Sequence, residues 1–181
     1  MTTLPTTSQE APATGAARRG LGSTLILALG TFAVGTDATA MAGFLPSVAD
    51  TLQVSHAVAG QVTAVFAISY ALLAPLLATV TARIPRRALL VGSLLLLALA
   101  DTAAALAPSY LALMAARVLA SVGAATYTPA AAAVAADLVP PAQRGRAFAV
   151  VIGGLTIATA LGVPLGNRAD RLLDWRTAIG L

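Results

Sequence analysis

The chain has 181 residues, of which 58% are hydrophobic, 10% charged and 4% aromatic, and its mean hydropathy is +0.86. Soluble domains carry about a quarter of charged residues, so a soluble globule is excluded. The absence of cysteine and the presence of a single histidine, His56, exclude disulfides, thiolate nucleophiles and Cys-based or multi-His metal centres, and no metal or cofactor is expected.

The net charge of +4 comes from 11 basic and 7 acidic residues, and every basic residue is arginine. The arginines form no single basic face and few aromatics are available for stacking, which argues against nucleic acid. Membrane topology accounts for them better. A helix needs about 20 mostly apolar residues to cross the hydrocarbon core.

Residues 1–20 begin with a Thr-, Pro-, Ala- and Gly-rich run lacking periodicity and read as a disordered cytoplasmic leader. Residues 21–181 read as a transmembrane bundle with helices at about 22–46, 58–82, 88–107, 110–136 and 147–167, and the start of a sixth at Trp175. The first carries only Asp37, the third only Asp101 and the fourth only Arg117; the second and fifth carry no charge. Short polar connections punctuated by proline join them, including Arg83-Ile84-Pro85-Arg86-Arg87, Val139 to Arg144, and Arg168 to Arg176. The expected fold is an all-α integral membrane bundle in contact with lipid.

Seven arginines (Arg18, Arg19, Arg83, Arg86, Arg87, Arg144, Arg146) fall on the N-terminal side and three (Arg168, Arg171, Arg176) on the other. The positive-inside rule then places the N-terminus in the cytoplasm of a multi-pass protein of the inner (plasma) membrane. Arg18-Arg19 before an apolar run also resembles the start of a signal peptide, but the run continues past any plausible cleavage site.

Charges inside a bilayer cost at least about 2.5–3.5 kcal/mol each, so Asp37, Asp101 and Arg117 are functional candidates. At 1.5 Å per residue they lie roughly 14, 9 and 10 Å below the outer ends of their helices. The functional reading is that Asp37 exchanges protons or binds a cationic substrate while Arg117 fixes the local field. The structural alternative pairs Arg117 with Asp101 and leaves Asp37 to cap or hydrogen-bond a neighbouring helix. Helical spacing places Val34, Met41 and Phe44 around Asp37, and Leu113, Met114, Ser121, Ala124 and Thr128 around Arg117. Met41, Phe44, Met114 and Ser121 are the expected cavity-lining residues; an apolar wall with one charge suits an amphipathic small molecule. Gly35, Thr39 and Gly43 on the first helix, and Gly154, Ala158, Gly162 and Gly166 on the fifth, mark close helix packing, with Pro164 expected to bend or loosen the fifth.

These residues together resemble the major facilitator superfamily, specifically the amino-terminal half of a proton-coupled drug or sugar efflux antiporter. The turn Leu138 to Ala147 and the stretch Gly162-Val163-Pro164-Leu165-Gly166 are similar to the antiporter motif region; Gly35-Thr36-Asp37 through Ala49 looks like the family's first helix and outer turn. Arg117 with Gly123 resembles the helix 4 motif whose arginine is associated with proton coupling. Arg83, Arg86 and Arg87 match the cytoplasmic loop signature, in which Ala78 and Pro85 replace glycines and Ala82 replaces the aspartate. The resemblance implies a small-molecule substrate, protons, and a second six-helix half with the substrate site between the halves. Five complete helices and a sixth beginning at Asp174-Trp175-Arg176 read as an N-terminal fragment. It would pair with a C-terminal half or self-associate; the alternative is a half-domain that does not transport. No nucleophile and base suited to an intramembrane enzyme are present.

Overall fold

The computed structural model describes residues 13–172 and 174–179, and among these the chain is helical, without strands. The long helices are α1 (Ala13–Leu52), α2 (His56–Val80), α3 (Arg86–Ala105), α4 (Tyr110–Asp137) and α5 (Arg144–Leu172), followed by the short α6 (Trp175–Ile179). All five long helices have the length and hydropathy to span a bilayer. The leader expected over 1–20 lies outside the described residues up to position 12, and from Ala13 onward the backbone is already in α1.

Helix ends differ from the sequence expectation where capping, rather than hydrophobicity, decides. Pro46 does not end α1, which runs through it to Leu52. There Gln53 adopts a left-handed φ of 54°, and the amide of Val54 donates to the carbonyl of Ala49 at 3.0 Å. That closure uses up a carbonyl that a helix end otherwise leaves orphaned. Ala49-Asp50-Thr51, beyond the span expected for the first helix, is therefore helical. The next two helices on the same side start with serine caps: the Oγ of Ser55 accepts from Val58 N, and that of Ser109 from Ala112 N. Helix α5 extends beyond its expected span at both ends, so that Arg144, Arg146, Arg168 and Arg171 are helical, and it continues unbroken past Pro164.

Helix α4 is the most enclosed element, and its buried face is largely alanine and glycine. Small side chains let α2 and α3 approach it closely; a Cβ on Gly123 would lie 2.7 Å from the carbonyl oxygen of Ser93. The closest seam joins α1 to α5 and uses the small residues expected from their four-residue spacing. A Cβ on Gly35 would lie 2.7 Å from that of Ala158, and one on Gly43 would lie 2.6 Å from the backbone nitrogen of Asn167. Threonines reinforce the seam: Thr31 donates to the carbonyl of Val151 at 2.6 Å, and Thr39 to that of Gly35 at 2.7 Å and of Ala158 at 3.3 Å.

Two apolar cores form inside the bundle. One includes Val34, Phe66, Ala100 and Ala120; the other includes Met41, Val62, Ala104 and Ala116. The second core is closed by Trp175, which is fully buried and donates from Nε1 to Thr51 Oγ1 at 3.1 Å. Arg176 stacks over the Trp175 ring and donates to the carbonyls of Ala105 and Ala107 at 2.9 and 2.7 Å, satisfying the C-terminal end of α3. The start of α6 thereby ties α1 to α3.

Candidate functional site

The three intramembrane charges meet in the layer between the two cores. Arg117 projects from α4 and is 1% exposed. Its Nη1 donates to Asp37 Oδ1 on α1 at 2.5 Å, and its Nη2 reaches Asp37 Oδ2 at 3.3 Å and the Asp37 carbonyl at 3.5 Å. Asp101 on α3 approaches the same Nη1 at 3.5 Å through Oδ1, without forming a hydrogen bond. Phe66 on α2 offers its ring face to the guanidinium at 4.7 Å, the geometry of a cation–π contact. One arginine thus links α1, α2 and α3 to α4.

Asp37 rather than Asp101 is the principal partner of Arg117, so the simple Arg117–Asp101 structural pair gives way to a three-member cluster. Bidentate contact with a carboxylate is the strong mode for a guanidinium, and Asp37 occupies it. With all three groups ionised the cluster carries one negative charge in excess, in a setting where apolar surroundings make an unbalanced charge expensive. A proton or a cation relieves it.

The cluster borders a cleft of about 420 Å³ between α1, α3, α5 and α6. Asp37 and Asp101 both line it, as do Phe32, Met41, Phe44 and Leu165. Met41 and Phe44 stand where helical spacing put them. Met114 and Ser121 do not: Met114 packs against the second core, and Ser121 is buried and donates to the Val118 carbonyl at 2.6 Å. The physical reason is that no α4 side chain lines the cleft: α4 is the most enclosed helix, its buried positions are spent on helix contacts, and Arg117 reaches the site only through Asp37 and Asp101. Thr36, which the sequence marks only as part of the first-helix resemblance and not as a site residue, lines the cleft; its Oγ1 is buried and has no hydrogen-bond partner.

The glycines of the antiporter-like stretch serve the same place from the other side. Gly162 faces Thr39, and Gly166 faces Ala40 while also lining the cleft; Pro164 points away from the seam and is exposed. Removing side chains at 162 and 166 is what brings α5 against the Asp37 region of α1.

At the opposite end of the bundle Arg83, Arg86 and Arg87 are exposed. Arg86 lies 3.6 Å from Asp137 at the end of α4, with both side chains more than half exposed. An exposed pair of this kind contributes about 0–1 kcal/mol. Asp137 provides a carboxylate near the loop despite alanine at position 82. The topology could have suggested it, since α4 ends on the side where the α2–α3 turn lies.

The Major Facilitator Superfamily model matches residues 27–181. Over 151 residues the chain is 38% identical to a chloramphenicol resistance protein of Streptomyces lividans, covering 83% of this chain and 38% of that protein. It is 35% identical over 155 residues to an uncharacterised MFS-type transporter of Bacillus subtilis, YbcL, covering 86% and 40%. It is also 33% identical over 153 residues to a chloramphenicol efflux pump of Mycobacterium tuberculosis, covering 84% and 37%. The chain therefore spans about 40% of the length of these relatives. Five spanning helices, a charged cluster within them and a family match over most of the sequence lead to one assignment: the chain belongs to the Major Facilitator Superfamily, whose members point to transport across membranes rather than to catalysis.

Proposed function

We propose that the chain serves as the N-terminal part of a proton-coupled exporter of small, partly apolar organic molecules. The observation that carries this reading is the buried Arg117–Asp37 ion pair opening onto an apolar cleft. Phe32, Met41 and Phe44 supply the apolar wall, and the unpaired Thr36 hydroxyl supplies a directional hydrogen bond. A site with few polar groups on an apolar surface suits such ligands. Efflux is supported by the relatives named for chloramphenicol resistance and export. Alternating access requires a second bundle rocking against this one, supplied by further sequence or by a partner half. Leu72, Leu76 and Val80 on α2 and Leu95 and Leu99 on α3 are exposed apolar side chains fit to meet lipid.

The transport test uses the complete assembly, the chain joined to the C-terminal half of one of its relatives. Cells expressing it should hold less chloramphenicol or lipophilic cationic dye than controls, and Asp37→Asn should return accumulation to the control level with membrane insertion intact. Replacing the carboxyl removes the excess charge and also an insertion cost, so expression should not fall. Unchanged accumulation in the variant would remove Asp37 from the mechanism. The chain expressed alone should leave accumulation at the control level.

The orientation belongs to the same proposal: cytoplasmic N-terminus, residues 83–87 and 140–146 inside, and residues 53–55 and 108–109 outside, in the inner (plasma) membrane. The chain contains no cysteine, so single-cysteine variants can be labelled from outside intact cells. A cysteine at position 109 should react with a membrane-impermeant reagent and one at position 86 should not; the reverse pattern would invert the topology.

A further inference from the structure

We propose that Asp101, not Asp37, is the carboxyl that gains and loses the proton, Asp37 being held by both terminal nitrogens of Arg117; this rests on the reading of the cluster as a coupling site. The two carboxylates are held unequally. Asp37 accepts from both terminal nitrogens of the guanidinium, at 2.5 and 3.3 Å. Asp101 has a single approach, 3.5 Å to a nitrogen already engaged by Asp37, and its buried Oδ1 accepts no hydrogen bond. Of two carboxylates beside one cation, the one whose buried oxygen lacks a hydrogen-bond donor is the readier to take a proton.

The groups around Asp101 point the same way. Among the described residues, the charges that approach it are Asp37 from α1 and Arg117 from α4. Arg176 of α6, the other cation near the end of α3, spends its Nη1 on the carbonyls of Ala105 and Ala107. Asp101 also sits about one turn from the C-terminus of α3 at Ala105, where the helix dipole disfavours added negative charge. Apolar cores lie on both sides of the layer, with Ala100 and Ala104 buried beside Asp101. The cleft reaches Asp101, giving a proton a route in and out. The step is a simple exchange: the Asp101 carboxylate takes a proton arriving through the cleft and becomes a neutral acid, leaving a balanced Asp37–Arg117 pair, and releases that proton in reverse.

The arrangement assigns different consequences to the two aspartates. Asp101→Asn leaves Asp37 and Arg117 as a balanced pair. Asp37→Asn leaves Arg117 to Asp101, which then stays ionised as its only partner. Either change removes the titration, so the decisive variants alter Asp101 itself.

The test is infrared difference spectroscopy of the 181-residue chain in lipid nanodiscs, following the protonated-carboxyl stretch as pH is raised, with circular dichroism to verify helix content. Wild type should lose one such band as the pH rises, Asp101→Asn should lack it, and Asp101→Glu should keep it with a displaced frequency and midpoint. If the Asn variant does not fold, the Glu variant decides: an unchanged frequency and midpoint overturn the assignment. A band that persists unchanged in Asp101→Asn and is absent from Asp37→Asn would also overturn it while leaving the coupling reading in place. No band in wild type, together with wild-type efflux by both Asn variants in the complete assembly, would overturn both.

Discussion

Replacing Arg117 with leucine is expected to do the most damage of any single substitution in this bundle. The side chain is 1% exposed and is the cation that Asp37 and Asp101 face. Its removal leaves two carboxylates close together in an apolar layer, and breaking a buried pair by deleting one partner costs about 3–5 kcal/mol. Phe66 also loses the cation over its ring. Because the guanidinium joins α4 to three other helices, the loss should appear as reduced thermal stability in detergent and faster degradation in cells. Arg117→Leu combined with Asp37→Asn and Asp101→Asn should recover most of it, since replacing a whole buried charge cluster is often close to neutral. A single Arg117→Leu protein as stable as wild type would show that the cluster is not buried as described.

The second large effect is expected on the α1–α5 seam, where neighbouring glycines should behave oppositely. A Cβ on Gly154 would collide with the carbonyl oxygen of Ala28 and approach Thr31 Oγ1 at 2.7 Å, whereas one on Gly153 meets nothing within 4 Å. The Ala28 oxygen is backbone and cannot turn aside, so Gly154→Ala must separate the helices or strain them, at a cost of about 1–3 kcal/mol or more. Separation would also stretch the 2.6 Å bond from Thr31 to Val151. Gly153→Ala, free of contact and inside a helix, should be neutral or stabilising by up to about 1 kcal/mol. Thermal melts of the two variants decide it; similar melting temperatures would mean that α1 and α5 do not approach as closely as the structure has them.

The fold was legible where its cause is local or set by the solvent. Runs with at most one charge mark five spans because the bilayer penalises each charge, and the four-residue spacing from Gly35 to Gly43 and from Gly154 to Gly166 marks the helix seam. Helix ends were less legible. The uncharged run reports the hydrocarbon span, not the helix, so the expected 147–167 omits Arg144, Arg146, Arg168 and Arg171, all of which are helical in α5. Likewise Pro46 suggested a stop, but α1 continues to a left-handed Gln53. That ending depends on backbone closure with little sequence signature.

The site was legible in its members and not in its pairing. The insertion cost drew attention to Asp37, Asp101 and Arg117, but depth alone could not show which carboxylate Arg117 would grasp. That depends on the rotation of α1 and α3 about their axes, which the seam with α5 and the alanine face of α4 determine. The same rotation explains why Met41 and Phe44 reach the cleft while Met114 and Ser121 face the interior. Trp175 and Arg176 were expected at the start of a sixth helix, but their contacts with α1 and α3 become visible only once those helices lie side by side.

In the proposed mechanism the buried cluster exchanges a proton for substrate. Vesicles containing the complete assembly and an entrapped pH-sensitive dye measure this directly, by following internal pH when chloramphenicol is added across an imposed pH gradient. Substrate should accelerate the collapse of the gradient in wild type and have no effect in Asp37→Asn or Asp101→Asn. Substrate export that moves no protons in wild type, or equal proton movement in all three proteins, would contradict it.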